Sequence, residues 1–363
     1  MTDLAVHPFA SHAPVFVVDD NVEGAIGRDL LRLDVEEGPL GLRTMVAHLV
    51  AIGPDSDGSA DMLSYLDGEL VGLGSTIDVD IGPPGGERRI FHGKISAIEV
   101  NFGEGTTPYV SVFAEDALMR LRMAQRTATY TDVDDAGIVD QVVAHHGLGV
   151  QTDVDGPTYP MVQQWEESDL AFLRDRAVLV NAELWVGDND TVHFADRDRR
   201  PGAELDLVQG GELIAVEARV DLAHQRSEIE YRGWDDARVE AVSATATSDD
   251  VQATVAGGRV GPAVVADVFD QVTSRHSRRD VLSADAAQAY AVAEMRRRAR
   301  SFVTVDGTTS GTPDLVPGAH LTLHRVGRPF DGDGYRVVAA HHSYDPSTGY
   351  RTRFRAERPG VVG

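Results

Sequence analysis

One stretch of this chain occurs twice, and the repeat constrains the fold more than any other feature. Gly334 to Glu357, GYRVVAAHHSYDPSTGYRTRFRAE, restates in another form what stands between Gly93 and Glu115, GKISAIEVNFGEGTTPYVSVFAE. Each copy opens on a glycine and runs through alternating apolar residues: Ile95 and Ala97, with Phe102, in the first; Tyr335, Val337 and Ala339 in the second. Each then turns through polar residues, Gly103-Glu104-Gly105 or Asp345 to Gly349, and returns with period-two alternation, the pattern of an antiparallel hairpin. Tyr109, Ser111 and Phe113 answer to Tyr350, Thr352 and Phe354, and both copies close on Ala-Glu. Upstream, Gly74 to Gly82 precedes the first hairpin as Gly318 to His324 precedes the second. Self-similarity of this length, at a spacing far beyond a solenoid period, predicts two related β-units, one near each end.

In chain order, residues 1–13 read as an irregular arm, and 14–127 as the first β-unit, with strands from Pro14, Leu30 and Leu40, a loop from Pro54 to Met62 and strand character from Tyr65 to Ile81. Pro83-Pro84-Gly85-Gly86 is a break, and a short helix is expected over Glu115 to Met123. A small α/β module is expected over 128–210. Asp135 to His146 sets Ile138, Val139, Val142, Val143 and His146 on one helical face, and a second helix begins after Ser168 with Leu170, Leu173 and Ala177 as its stripe. Two short strands flank Gly187-Asp188-Asn189-Asp190. The second β-unit is expected over 211–360: Ile214 to Val220 pairs with Arg226 to Gly233, a Ser/Thr/Ala/Asp-rich tip spans Ala241 to Gly258, and a helix over 284–300 is capped by Ser283.

Charge excludes one class of function. The formal net charge is −25, and Lys94 is the only lysine among 33 basic residues, which argues against the clustered positive surface that phosphate contacts need, so no sequence-specific nucleic-acid partner is expected. The one basic run, Arg296-Arg297-Arg298 with Arg300, suits a helix C-terminus. No apolar run approaches the length of a bilayer span, so no stable membrane association is expected, and the first residues lack the basic and apolar regions of a secretory signal. The absence of cysteine removes disulfides and thiolate metal sites together.

Two motifs carry a resemblance. Gln164-Trp165-Glu166-Glu167-Ser168-Asp169-Leu170-Ala171-Phe172-Leu173-Arg174 resembles the Q-Φ-x-E-S-D-Φ-x-F-Φ-R signature of the phage late-control protein D family, which includes contractile-tail baseplate hubs and the N-terminal part of VgrG-like spike proteins. Further on, Ala286-Ala287-Gln288-Ala289, Pro313, Gly318, Gly334-Tyr335, His341 and Gly349-Tyr350-x-Thr352-x-Phe354 fall in the family's order. The resemblance spans about Pro14 to Pro359. It implies a mainly β (α+β) fold: two tube-protein-like β-barrels with a small α/β module between them, assembled as a homotrimer whose six barrels form a pseudo-hexameric ring. It further implies partners in an inner tail-tube protein, a spike protein and other baseplate components, and assembly in the cytoplasm into a phage tail or injection particle. VgrG-like relatives continue into a neck and a β-helical spike, whereas this sequence stops at Gly363, so a separate spike polypeptide is expected.

In this reading Gln164, Trp165, Glu167, Ser168, Asp169, Phe172 and Leu173 hold a helix start, and the C-terminal motif residues hold a hairpin. No catalytic residue, cofactor or metal ligand is assigned. His145-His146 and His341-His342 lack carboxylates at ligand spacing, and Asp132-x-Asp134-Asp135-x-Gly137 fails the EF-hand pattern because Val143 stands at position twelve. The Glu166 to Asp169 cluster is explained by a helix N-terminus more simply than by acid/base chemistry. The rival function, a tail-tip peptidoglycan hydrolase, finds no catalytic constellation in the sequence.

Overall fold

The computed structural model describes residues 13–361 apart from 52–64, 69, 83–86, 106, 254, 256 and 282. The expected arm, the loop from Pro54 and the break at Pro83 lie outside these, save Ala13. The chain is mainly β. Its first strands are β1 (Val15–Val18), β2 (Leu30–Glu37), β3 (Arg43–Val50), β4 (Thr76–Ile81), β5 (Arg88–Asn101) and β6 (Tyr109–Glu115). They lie in the order β2-β3-β6-β5-β4-β1. Ahead of β4 the chain turns instead of extending, because Tyr65, Gly68 and Gly74 all take positive φ.

The middle of the chain forms β7 (Gln125–Val133), α1 (Asp135–Ala144), β8 (Gly149–Asp153), β9 (Tyr159–Ser168), α2 (Asp169–Val180), β10 (Ala182–Val186) and β11 (Thr191–Asp196). Asp134 caps α1, its carboxylate accepting from the Gly137 N–H at 2.8 Å. Then come β12 (Glu204–Val208), β13 (Leu213–Val220), β14 (Glu228–Asp235), β15 (Glu240–Thr247), β16 (Thr273–Val281), α3 (Ala284–Arg300), β17 (Val303–Thr309), β18 (His320–His324), β19 (Gly332–Asp345) and β20 (Gly349–Arg358). Strands β13-β17-β20-β19-β18-β12 repeat the earlier order, except that the last strand is reversed: β12 runs parallel to β18, whereas β1 runs antiparallel to β4.

Hydrogen bonds show how close the repetition is. Gly74 N–H donates to Ile95 O at 2.8 Å and Ile95 N–H to Ser75 O at 2.9 Å; Gly318 N–H donates to Val337 O at 3.0 Å and Val337 N–H to Ala319 O at 2.8 Å. Both glycines take positive φ, +87° and +100°. Each hairpin has its bulge at the same place, Ser96 in one and Val338 in the other. Lys94 therefore corresponds to Arg336, and Glu115 to Glu357. This register corrects one detail of the sequence match: Tyr109, Ser111 and Phe113 answer to Arg351, Arg353 and Arg355, one residue off. The bulge fixes backbone register, whereas matching by residue type pulled aromatic onto aromatic.

Two other expectations differ. Strand β13 pairs with β17, not with β14, which lies between β15 and β16. The turn-off is local: Asp221 N–H bonds Phe302 O at 3.0 Å, and its carboxylate accepts from Ala223 N at 2.7 Å, sending the chain away. The segment from Ala241 contains the strand β15. Its inward residues, Val242 and Ala246, are small, so apolar bulk did not advertise it.

Among the described residues, three apolar clusters form the interior. One belongs to the first strand set, with Phe16, Leu33, Met45, Ile77 and Phe91. Another belongs to the second, with Val305, Leu321, Tyr335 and Phe354. The third joins α1 and α2 to α3, whose Ala287, Tyr290, Ala291 and Met295 pack with Ile229 and Val242 of the β14–β15 pair. The long helix thus covers a three-stranded sheet and the α/β elements together.

Gly41, between β2 and β3, sits at φ +88°, and an added Cβ would lie 1.7 Å from Leu184 O of β10. Gly41→Ala should cost roughly 2–4 kcal/mol. The measurement is a lower urea midpoint at unchanged slope; an unaltered midpoint would refute this contact.

Candidate assembly site at the seam between the repeats

Strand β19 is long enough to serve two neighbours. Its first half pairs with β18, and its second half crosses to the other repeat and pairs with β2, matching Ala340 with Glu37, His341 with Glu36, His342 with Val35, Ser343 with Asp34 and Tyr344 with Leu33. The two strand sets thereby become one continuous sheet. The tip of the second hairpin is part of the first set's core, since Tyr344 and Tyr350 cluster with Leu33 and Val35. On the outer face His341 Nε2 meets Asp34 Oδ1 at 2.7 Å across the seam. Burial alone would raise the Asp34 carboxyl, but Arg32 and His341 hold it well below the usual range. On the inner face burial pulls His342 down to about 3, so it is neutral, within hydrogen-bond distance of the Tyr350 hydroxyl (2.8 Å) and Thr352 Oγ1 (3.2 Å).

Beside the seam lies a buried charge cluster that the sequence did not disclose. Glu37, the last residue of β2, is 4% exposed. Arg43 Nη2 reaches one of its oxygens at 2.6 Å, and Arg200 holds the other. Arg200 continues to Glu183 of β10 at 3.4 Å and lies 4.8 Å over the Trp185 ring. Arg197 spans Glu183 (3.6 Å) and Glu357 of β20 (3.5 Å), and Arg336 donates to Arg200 O at 3.1 Å. First repeat, middle elements and second repeat are thus tied by one set of ion pairs. Burial opposes ionisation of Glu37, yet its two guanidinium partners keep the carboxyl below the ordinary glutamate value.

The stretch from Gln164 to Arg174 folds into a second polar cluster, at the start of α2. Gln164 is fully buried: its amide oxygen accepts from Tyr130 OH at 3.0 Å, and its NH2 donates to Asp169 Oδ1 at 2.8 Å and Glu167 O at 3.2 Å. Asp169, equally buried, also takes Arg126 Nη2 (3.1 Å) and contacts His146 Nε2 (2.6 Å). Burial pushes its carboxyl up, but the bonds from Gln164, His146 and Arg126 outweigh that and hold it low. Ser168 Oγ accepts from Ala171 N–H at 3.1 Å, the N-cap the sequence predicts. Phe172 stacks on Tyr130 at 5.6 Å, and Leu173 is buried in the third cluster. Trp165 differs: a bulge between Gln164 and Glu167 turns it outward, 65% exposed.

The C-terminal motif residues hold the second hairpin. Tyr335 donates to Phe330 O at 2.8 Å under the Arg358 guanidinium, and burial pushes its hydroxyl up to about 12. Thr352 Oγ1 accepts from Thr312 N at 2.9 Å, next to half-buried Pro313. Gly349 takes the positive φ the hairpin turn requires, and Gly334 takes one within the first residues of β19. Phe354 packs so tightly on Gly307 that a Cβ there would lie 2.4 Å from its ring.

A cleft of about 950 Å³ opens beside the seam, floored by Val216, Ala340 and Phe354 and walled by Val178, Arg197 and Arg300. Burial and the neighbouring Arg197 pull Arg300 down to about 9. Its basic neighbours Arg297 and Arg298 share the Glu294 carboxylate at 2.7 and 2.6 Å, which offsets part of the basic run's charge. Among the described residues no group of three His, Cys, Asp or Glu gathers as metal ligands do, and no helix is long and apolar enough to cross a membrane.

Residues 43–345 match the family described as the Alg8 N-terminal domain. No curated protein matches the chain. Among solved structures the fold recurs in the 43 kDa tail protein of prophage MuSo2 from Shewanella oneidensis, with TM-score 0.71 at 15% identity over 96% of this chain and 98% of that one. A tail protein from Neisseria meningitidis superposes with TM-score 0.67 at 13% identity, covering 96% and 97%. An E. coli component of the type VI secretion system, described as similar to bacteriophage T4 tail proteins, gives 0.56 at 14% identity, covering 91% and 73%. The resemblance to baseplate-hub-like proteins carried by the motifs therefore holds at the level of fold.

Removing the Glu37 charge should be costly at neutral pH: Glu37→Gln leaves the buried Arg200 and the half-buried Arg43 short of a partner, for a loss of about 3–5 kcal/mol. The folded carboxyl titrates below its unfolded value of about 4.3, so its contribution is complete above that pH and is lost as pH falls through the lower folded value. Acid denaturation curves should therefore be steeper for the parent than for Glu37→Gln below about pH 4. Parallel curves would contradict the assignment.

Proposed function

Since the chain belongs to the Alg8 N-terminal domain family and has the fold of phage tail proteins, we propose that it is a baseplate hub. In this reading it is a symmetry adapter, joining a six-fold inner tube to a three-fold spike in a contractile tail or a phage-derived contractile injection system. The observation that carries it is the strand order repeated within one chain, with matching bulges and hydrogen bonds. Two unequal copies of one unit give a trimer six similar surfaces toward one partner and three identical ones toward another, which is what a six-to-three junction requires.

The architecture proposed is two tube-protein-like β-barrels, 14–127 and 211–360, with an α/β module over 128–210 between them. The partners are a second and third copy of the chain, the inner tube protein, a spike protein and other baseplate components, assembled in the cytoplasm. A strongly acidic surface suits a conduit, because like charge keeps acidic cargo or DNA from adhering. The hydrolase reading gains no support from the site: the Asp169 carboxylate is closed off by Arg126, Gln164 and His146.

Mass photometry of the purified chain, alone and with its tube and spike proteins, tests the proposal. A species of three chains that adds tube protein at one face and spike at the other is expected. A stable monomer with affinity for neither would overturn it.

A further inference from the structure

The seam described above is made once within the chain, although each of its two strands has a counterpart in the other repeat. Copy for copy, β2 corresponds to β13 and β19 to β5. The correspondence can be followed residue by residue: Val112 and Phe354 hold the same place after the bulge, Ala47 faces Val112 as Gly307 faces Phe354, and Leu33 faces Ala47 as Val216 faces Gly307. So Leu33, Asp34, Val35, Glu36 and Glu37 correspond to Val216, Glu217, Ala218, Arg219 and Val220. In the same way Ala340 to Tyr344 correspond to Ile98 to Phe102. Within the chain those segments of β2 and β19 are paired. Among the described residues, β13 from Ala215 on pairs only with β17, and β5 beyond Ile95 only with β6.

We propose that the seam is copied between chains: the outer edge of β13 in one copy pairs antiparallel with the second half of β5 in the next. This rests on the self-assembling hub reading and names the surface by which it assembles. The in-chain register then sets Ile98 opposite Val220, Glu99 opposite Arg219, Val100 opposite Ala218, Asn101 opposite Glu217 and Phe102 opposite Val216.

Three features of the free edges support this occupant. The aromatic at the hairpin tip is buried where the seam is made and stranded where it is not: Tyr344 is 9% exposed, its counterpart Phe102 64%. Strand β13 also leaves Ile214 at 48% and Val220 at 36% exposure, so both edges carry apolar side chains. Charge is complementary in the derived register, with Glu99 facing Arg219 as His341 faces Glu36 in the chain. In the free chain Arg219 turns to Asp221 at 2.6 Å, a partner it would exchange or share. The contact is head-to-tail, so it joins each copy to two others and closes a ring once the rotation per chain permits.

The absence of cysteine makes the test clean. Directly opposed residues of antiparallel strands lie within disulfide reach. The Asn101→Cys/Glu217→Cys variant should oxidise into interchain cross-links ending at a closed species, with the Glu99–Arg219 pair untouched. A pair slipped by one residue, Asn101→Cys/Ala218→Cys, should cross-link at least tenfold less. Glu99→Arg and Arg219→Glu should each weaken self-association tenfold or more, and the double exchange should restore it to within about threefold, while circular dichroism and melting show every variant folded. A trimer that forms without this cross-link, or double exchange without rescue, overturns the edge pairing and leaves the hub reading standing. A chain that stays monomeric at all concentrations overturns both.

Discussion

Glu37 is the constraint on which the arrangement of the chain depends. A carboxylate buried to this degree is tolerable only with cations in direct contact, and here they come from two places: Arg43, just across the turn, and Arg200, far along the sequence between β11 and β12. Arg200 can reach Glu37 only when β10 lies against the β2–β3 turn, and Gly41 has no side chain to obstruct that approach. Arg197, one helical step away, carries the connection to Glu357 and so to the second hairpin. Apolar contact would allow many relative placements of three packed units. A buried charge satisfied from all sides allows few, which gives this cluster a role in specificity beyond any net stability.

The two repeats have kept the backbone arrangement of five matched strands and changed their surroundings. Both retain the positive-φ glycine before the fourth strand position, the bulge in the long strand and the closing glutamate. A bulge bends its strand and raises local twist, so losing it from one copy would re-aim half of a strand that must serve two neighbours. What differs is what each long strand meets beyond its bulge. In the second copy Ala340 to Tyr344 meet β2 and bury an aromatic; in the first, Ile98 to Phe102 face outward.

Much of the fold was legible because it rests on periodicity and punctuation. The two hairpins, the Ser168 and Ser283 caps and the stripe Ile138, Val139, Val142, Val143 are local and stand where the pattern puts them, whereas the bulges at Ser96 and Val338 break the alternation and leave Ala97 and Phe102 exposed. The family signature reads as a helix start, although no spacing rule could disclose that Gln164 and Asp169 would meet Arg126, Tyr130 and His146 from other elements. Strand β16, TSRHSRRDV, lacks the apolar alternation that marks a half-buried strand, and β15 is built of small residues, so neither announced itself. Glu37 was illegible for a deeper reason. Glu36 and Glu37 are adjacent glutamates at a strand end, and only the parity of the strand decides which points inward, while the arginine that makes burial possible lies 163 positions away.

Unpaired strand edges are a hazard, since any extended segment can add to them, and a chain that keeps the edges of β13 and β5 open must either blunt them or use them. Blunting by charge is partly in place: Glu99, Glu217 and Arg219 stand on the two edges, and a net charge of −25 disfavours indiscriminate contact between copies. The same charges are not random with respect to each other, because the repeat's own register brings opposite signs together. Self-pairing of two β13 edges has no such guide, nor has the pairing of two β5 edges. Repulsion that acts over about a Debye length, roughly 8 Å at physiological ionic strength, is screened between distant faces and strongest at contact, where register decides its sign. An edge that repels most partners and accepts one in a single register serves assembly and solubility at once. The duplication supplies that register without further invention, because the chain already carries a folded copy of the contact it offers to its neighbour.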